Sequence, residues 1–372
     1  MRSFLGAGLL LLLALPTPAA DPAPTNPLTP KEIADGWILL FDGATTFGWK
    51  IEGQARAANG ALTLGGEKAT TATTTTSFRN YEFVMDYHLT GDPQKTQLRA
   101  GSFSAPLLRP TPGSKWDQFS YQQSNSSKPE AIQLEVSAGT QVALRSVKLK
   151  PRGLKPIFNG KDLTGWKEFP GKKSKLSVTP EGWIHMKNGP GDLQTEGQWA
   201  DFVLQIECRT NGPLLNSGVF FRCRPNEYQQ GYEAQIHNGF LPAAVKEYTI
   251  EEYDPATHEL TGKQKVKSRA IDYGTGAIYR RIPARLEAAK DREWFTMTIV
   301  AEGKHIAVWV NGLQVTDWVD NRPLKDNARN GCRLEKGPIS LQGHDPTTDL
   351  AFRNIRIADL TAKPIKREDK EK

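Results

Sequence analysis

Glu233, Gln235 and His237 occupy alternate positions of Gly231-Tyr232-Glu233-Ala234-Gln235-Ile236-His237-Asn238. Extended chain would place a carboxyl, a carboxamide and an imidazole on one face, about 7 Å apart per two-residue step, with Tyr232, Ala234 and Ile236 on the other. Such a set can take up a proton, hold a hydroxyl and return a proton. The preceding run, Asn216-Ser217-Gly218-Val219-Phe220-Phe221-Arg222, reads as the neighbouring strand. Alternation puts Arg222 on the face of Phe220, where its guanidinium would lie beside Glu233, keep it ionised and fix its orientation. Two further runs add to the set. Gly274-Thr275-Gly276-Ala277-Ile278-Tyr279-Arg280-Arg281 reads as a glycine-loosened strand entry suited to close approach by a ligand. Leu341-Gln342-Gly343-His344-Asp345 brings a second amide and imidazole to a strand end, where sandwich loops carry function. Trp309 and Trp318 supply aromatic surface of the kind on which sugar rings stack. The plainer alternative is a solvated outer face with an Arg222–Glu233 surface ion pair and core tryptophans.

Other chemistries are less well supported. His237, His344 and Glu233 match no metal-site spacing, so no cofactor is assigned and a divalent cation is kept only as an alternative. No Gly-x-Ser-x-Gly element provides a serine nucleophile. The Gly274-x-Gly276 pair lacks the strand–turn–helix setting of a nucleotide site. Glu233 has no second acid two or four positions along its strand, which argues against a two-carboxylate glucanase unless a partner comes from another strand. The net charge of +7 arises from Lys and Arg interspersed with Asp and Glu, without an aromatic-lined basic run, so nucleic acid is not an expected partner. Cys208, Cys223 and Cys332 allow at most one disulfide, with Cys208–Cys223 the nearest candidates and buried free thiols the alternative.

The elements that must position these residues are strands. At 372 residues the chain exceeds one ordinary sandwich, and its 33 Gly and 25 Pro suggest many turns, so two all-β domains are expected. The opening Leu40-Phe41-Asp42-Gly43-Ala44-Thr45-Thr46-Phe47-Gly48-Trp49 resembles Ile157-Phe158-Asn159-Gly160-Lys161-Asp162-Leu163-Thr164-Gly165-Trp166, and the closing runs 143–149 and 351–357 also match. One module therefore opens and closes twice, over 36–150 and 156–360, with Pro151-Arg152-Gly153 as linker. The first copy is shortened. Asn311-Gly312 between two alternating runs predicts a tight hairpin. Antiparallel strands of this kind bury themselves as two packed sheets, and a jelly roll with a concave sheet is expected. The Thr70–Thr76 run reads as an exposed loop or edge strand, and 245–272 as an insert that forms a lid or a plain hairpin.

At the N-terminus, Met1-Arg2, the apolar run Phe4–Leu15 and Pro16-Thr17-Pro18-Ala19-Ala20 predict a cleaved signal peptide over 1–20 and an exported protein. That run is too short for a membrane span, which needs roughly 20 residues, so no stable membrane insertion follows cleavage. Residues 21–35 read as a Pro-rich spacer, and 361–372 as a charged tail.

The runs 157–166, 216–222, 231–237, 274–279, 337–344 and 352–355, in that order, closely resemble the 3-keto-disaccharide hydrolase family, long called a domain of unknown function. The resemblance covers roughly 156–360, is particularly marked for exported planctomycete members, and extends only to the ends of the degenerate first copy. It implies tandem concanavalin-like jelly rolls related in shape to laminarinase-type glucanases, and cleavage of glycosides whose 3-hydroxyl has been oxidised to a ketone. The ketone acidifies the proton on C2, so a base can remove it and the C1 substituent can leave, after which water adds. On that chemistry His237 or Glu233 is the base, Arg222 faces the enolate, and His344 or Tyr279 protonates the leaving group. A divalent ion is the alternative to Arg222. Gln235, Asn216 and Gln342 hold hydroxyls, with Tyr279 and Trp309 also on the substrate side. An oligosaccharide or glycoside is the expected partner. A non-catalytic carbohydrate-binding protein is the alternative from another class, and the better reading of the first copy.

Overall fold

The alternation of apolar and polar residues yields four sheets arranged as two sandwiches in the computed structural model, which describes residues 27–361. The expected signal peptide and nearly all of the charged tail lie outside the described residues. In the first sandwich a 6-stranded sheet faces a 5-stranded one; in the second an 8-stranded sheet faces a 5-stranded one, and a 2-stranded hairpin stands apart. The strand orders correspond. In each large sheet the closing strand (Thr140–Pro151, then Asp349–Asp359) pairs with the aromatic and acidic strand (Tyr81–Thr90, then Phe202–Thr210). In the 5-stranded sheet of the second sandwich the order is Trp166–Glu168, Gly191–Thr195, Ser340–Gly343, Ser217–Phe221 and Tyr232–Ile236.

Strand Tyr81–Thr90 shows the period of two: Tyr81, Phe83, Met85, Tyr87 and Leu89 are buried while the residues between are partly or fully exposed. Its counterpart Phe202–Thr210 is buried on both faces in its first half. Phe202, Leu204 and Ile206 join the second sandwich's own core, whereas Val203, Val300, Ala307 and Trp309 join the core of the first. The outer face of the 8-stranded sheet is therefore an interdomain interface. Gln205 Nε2 donates to the Gly36 carbonyl and Arg285 pairs with Asp42 at 2.7 Å across it.

This interface removes Trp309 from the substrate side. The indole is 1% exposed, its Nε1 donates to the Leu39 carbonyl at 2.8 Å, and its ring meets Phe78 with centroids 6.1 Å apart. A bulge between Val308 and Trp309 accompanies the turn that follows. Asn311 and Gly312 both have positive φ, as a two-residue hairpin requires, and a Cβ on Gly312 would overlap Leu28.

The described part of the presumed spacer is structured. Thr29 and Glu32 form a capping box on the short helix Pro30–Ala34, Glu32 pairs with Lys148, and Leu28 is buried. Thr70–Thr74 is a strand between Trp49–Glu52 and Gln133–Val136, neither loop nor edge, because Thr70, Ala72 and Thr74 fill the core while Thr71 and Thr73 face outward. Cys208, Cys223 and Cys332 are free and buried. Among the described residues no helix is long and apolar enough to cross a membrane.

Candidate functional site

Period two divides the second sandwich's 5-stranded sheet into an apolar and a polar face. Leu193, Leu341, Val219 and Ala234 enter the core. On the opposite face one row crosses the strands through the registered pairs Gln194↔Ser340, Ser340↔Phe220 and Phe220↔Glu233. The adjoining row holds the pairs Asp192↔Gln342 and Gly218↔Gln235. This face is not solvated: Asp192, Gln194, Glu233, Gln235, His237, Ser340 and Gln342 are all buried. Buried polar groups normally find partners, yet Asp192 Oδ1, Gln235 Oε1, Ser340 Oγ and Gln342 Oε1 have none within the protein. Four such atoms on neighbouring positions leave hydrogen-bonding capacity that the protein itself does not fill.

Two irregular segments meet over the face. Arg224 pairs with Asp326, Gln230 accepts from Asn327, and Arg329 donates to the Gln229 carbonyl. Arg329 then reaches down to Glu233 Oε2 at 3.2 Å while its guanidinium lies 5.1 Å from the Phe220 ring centroid. Glu233 leans over Gly218, where a Cβ would come within 2.8 Å of its Cγ and Oε1; only a residue without a side chain leaves that room. Burial pushes the Glu233 carboxyl up to about 7, with Arg329 opposing and Asp272 adding to the rise. Asp192 is likewise pushed up to about 6 by burial, against hydrogen bonds from Gln194 and Gln229.

Tyr279 shares with Glu233 a cavity of about 150 Å³ that Arg280, Arg281 and Arg329 also line. The run containing Tyr279 is not a strand but shadows the edge of Tyr232–Ile236: Gly276 N–H donates to the Gln235 carbonyl and Tyr279 N–H to that of Glu233. At the other end of the first row, Gln194 borders a cavity of about 390 Å³ with Phe169 and Pro225. Along the second row Gln235 Nε2 donates to Asp272, which also accepts from Asn216 Nδ2 at 2.7 Å. His237 Nδ1 accepts from Gly239 N–H, so the neutral ring carries its proton on Nε2. Burial lowers the His237 pKa, opposed by Asp272 and Asp291. The neighbouring His344 also opposes its protonation; it is exposed and bonded to Asp345.

Arg222 is not in the site. The strand ends at Phe221, and Arg222 adopts φ +48, which breaks the alternation and turns the side chain away. Its guanidinium is buried against the Ala200, Gly303 and Arg333 carbonyls and pairs with Asp201 at 2.9 Å. Arg329, on an irregular segment 96 residues after Glu233, takes the place expected of Arg222, and no local pattern marks it. Asp192 and Gln194 do alternate within Gly191–Thr195, a signal that period-two reading could have used. Among the described residues no three His, Cys, Asp or Glu side chains gather to hold a metal ion, so no ligand set is assigned to one.

A family model, the 3-keto-alpha-glucoside-1,2-lyase-like domain, matches residues 36–128 and 153–358. The chain belongs to this family. The match in the first half runs through the interior of that domain, well beyond the ends alone. No curated protein matches the chain. Among solved structures, a candidate glycosyl hydrolase from Parabacteroides distasonis aligns at 21% identity over 56% of this chain and 94% of its own, with a TM-score of 0.41. A Bacillus licheniformis β-glucanase aligns at 13% identity over 56% of this chain and 98% of its own, TM-score 0.33. A carbohydrate-binding module from Bacillus subtilis aligns at 13% over 51% and 93%, TM-score 0.32.

Proposed function

We propose that the chain is an exported carbohydrate-active enzyme that cleaves 3-keto-glycosides by elimination, with hydration of the product completing a net hydrolysis. Membership in the 3-keto-alpha-glucoside-1,2-lyase-like family supports the substrate class. The observation that carries the reading is the buried Glu233 carboxyl, held near neutrality beside a guanidinium. A base of that strength is matched to removing a proton near neutral pH. Glu233 takes the C2 proton of the ketosugar, and the charge it loses reappears on the enolate oxygen. Arg329, already paired with Glu233, then faces that oxygen. The C1–O bond breaks as the enolate collapses back to the ketone with a C1–C2 double bond, and the leaving oxygen takes a proton from Tyr279. Gln235, Gln342, Ser340 and Asp192 hold hydroxyls. His237, the second candidate base, can take a proton only on Nδ1 and only by giving up its bond from Gly239 N–H, so Glu233 is the better placed of the two.

The first sandwich is read as a second copy of the module that binds or supports without catalysing. On its corresponding sheet the outward face is a ladder whose groups satisfy one another: Arg99 pairs with Glu135, Gln97 Nε2 donates to Ser104 and Gln133 Nε2 to Thr73. The buried acid of this sandwich, Asp42, is held below the usual carboxylate range by Thr45, Ala44 and Arg285 against the effect of burial, the opposite of Glu233. Export is tested by N-terminal sequencing of the mature protein, expected to begin near Asp21. The enzymatic reading is tested by mass-spectrometric product detection on 3-keto-glycosides and their parent glycosides with wild type and Glu233→Gln. Turnover of keto forms alone, lost in the variant, is expected; glycan binding without turnover of either class would leave a carbohydrate-binding protein.

A further inference from the structure

We propose that a groove beside the Glu233 cavity, walled by the inserted hairpin, binds the leaving-group side of a glycoside longer than a disaccharide; this rests on the functional reading above. A cavity of about 740 Å³ lies not over Glu233 but next to it. Arg280 and Arg281 line both cavities, so the two adjoin. A volume of that size is within the roughly 300–1,000 Å³ typical of small-molecule sites.

The hairpin Lys246–Tyr253 and Leu260–Ser268 pairs only with itself and is fixed at both ends. At its root Tyr248 is buried, donates to the Ala270 carbonyl at 2.6 Å and packs on Tyr273 with centroids 4.5 Å apart. Near its tip the His258 ring bonds the Asn321 carbonyl through Nδ1 and approaches Lys304 Nζ through Nε2. Anchored so, the insert is a fixed wall and not a lid, and the groove lies between the anchors. Across from it stand Trp318 and Val319, the latter 48% exposed. Trp318 is braced edge-on against Tyr232 and by the Arg322 guanidinium, which Asp320 fixes at 2.7 Å.

The groove's chemistry is that of a sugar chain. Tyr253 and Trp318 offer aromatic surface, Arg281 and Lys263 donors, Glu251 and Glu252 acceptors. Charges of both signs face one another, which disfavours a polyanion. Rigid aromatic rings beside fixed polar groups suit rings that present C–H faces and hydroxyls together.

The test compares kcat/KM on a 3-keto-disaccharide with that on tri- and tetrasaccharides bearing the ketone on the terminal glucose, for wild type, Trp318→Ala and Tyr253→Ala. Wild type should favour the longer substrates by about tenfold, the worth of one good aromatic contact. Each variant should erase that preference while leaving the disaccharide rate unchanged. Equal wild-type rates at every length, or variants that slow all substrates alike, would overturn the proposal. Tyr253→Ala keeps the test valid if Trp318→Ala does not fold. Calorimetric titration of Glu233→Gln with unoxidised glucotrioses and glucotetraoses separates the two readings. Length-dependent binding that is lost on adding Tyr253→Ala supports the groove even where no keto-glycoside is cleaved; no binding and no turnover removes both.

Discussion

Glu233→Gln should make the protein more stable and inactive at once. The carboxyl is 5% exposed, and burial raises its pKa from 4.5 to about 7. The folded chain therefore holds the proton over a window in which the unfolded chain has already released it, so folding stability falls as pH rises from about 4.5 to about 7. At 1.36 kcal/mol per pH unit, the penalty is about 1 kcal/mol at pH 5, about 2 at pH 6 and about 3 at pH 8. Glutamine imitates the protonated acid, keeps an oxygen for Arg329 and removes the penalty. Urea unfolding at pH 5 and pH 8 should show a gain for the variant that grows by about 2 kcal/mol between them. Turnover of a 3-keto-glycoside should drop by roughly 10² to 10⁴, the contribution of a positioned base. A variant no more stable than wild type at pH 8 would refute the claim that Glu233 is a buried, poorly compensated acid. A stable variant with full activity would refute its role as base.

Arg329→Met removes the cation that holds the Glu233 pKa down, so the acidic limb of the kcat/KM profile, expected near pH 7 in wild type, should move to higher pH; an unmoved limb would place the titrating base elsewhere. Gly218→Ala puts a methyl within 2.8 Å of the Glu233 side chain, and the displaced carboxyl should lower kcat by about a hundredfold with little change in unfolding midpoint, a size known for misplacements near 1 Å. Trp309→Ala empties the interdomain core and should cost about 3–5 kcal/mol in unfolding while oligosaccharide affinity stays the same; an affinity loss without a stability loss would return Trp309 to the substrate side.

The legible parts of this molecule are those set by local periodicity. Alternation placed Glu233, Gln235 and His237 on one face, Asn311-Gly312 specified its hairpin, and the repeated openings and closings marked two similarly ordered sandwiches. Alternation fails where one residue leaves the extended region, and a single left-handed residue at Arg222 was enough to take its guanidinium off the face. Nor does the strand pattern say which neighbour covers an outward face. Trp309 alternates as a surface aromatic should, but the first sandwich is packed on it. Arg329 was hidden for a third reason: it acts from irregular chain far away in sequence, where no period applies. Arg329 thus takes the role expected of Arg222. A regular strand aims its side chains into the sheet's own face, whereas the cation that lies over the buried Glu233 carboxylate comes from above, from a segment free of the sheet's register. Ion partners of buried strand acids are therefore to be sought first on the loops that cover the sheet, and only then on neighbouring strands.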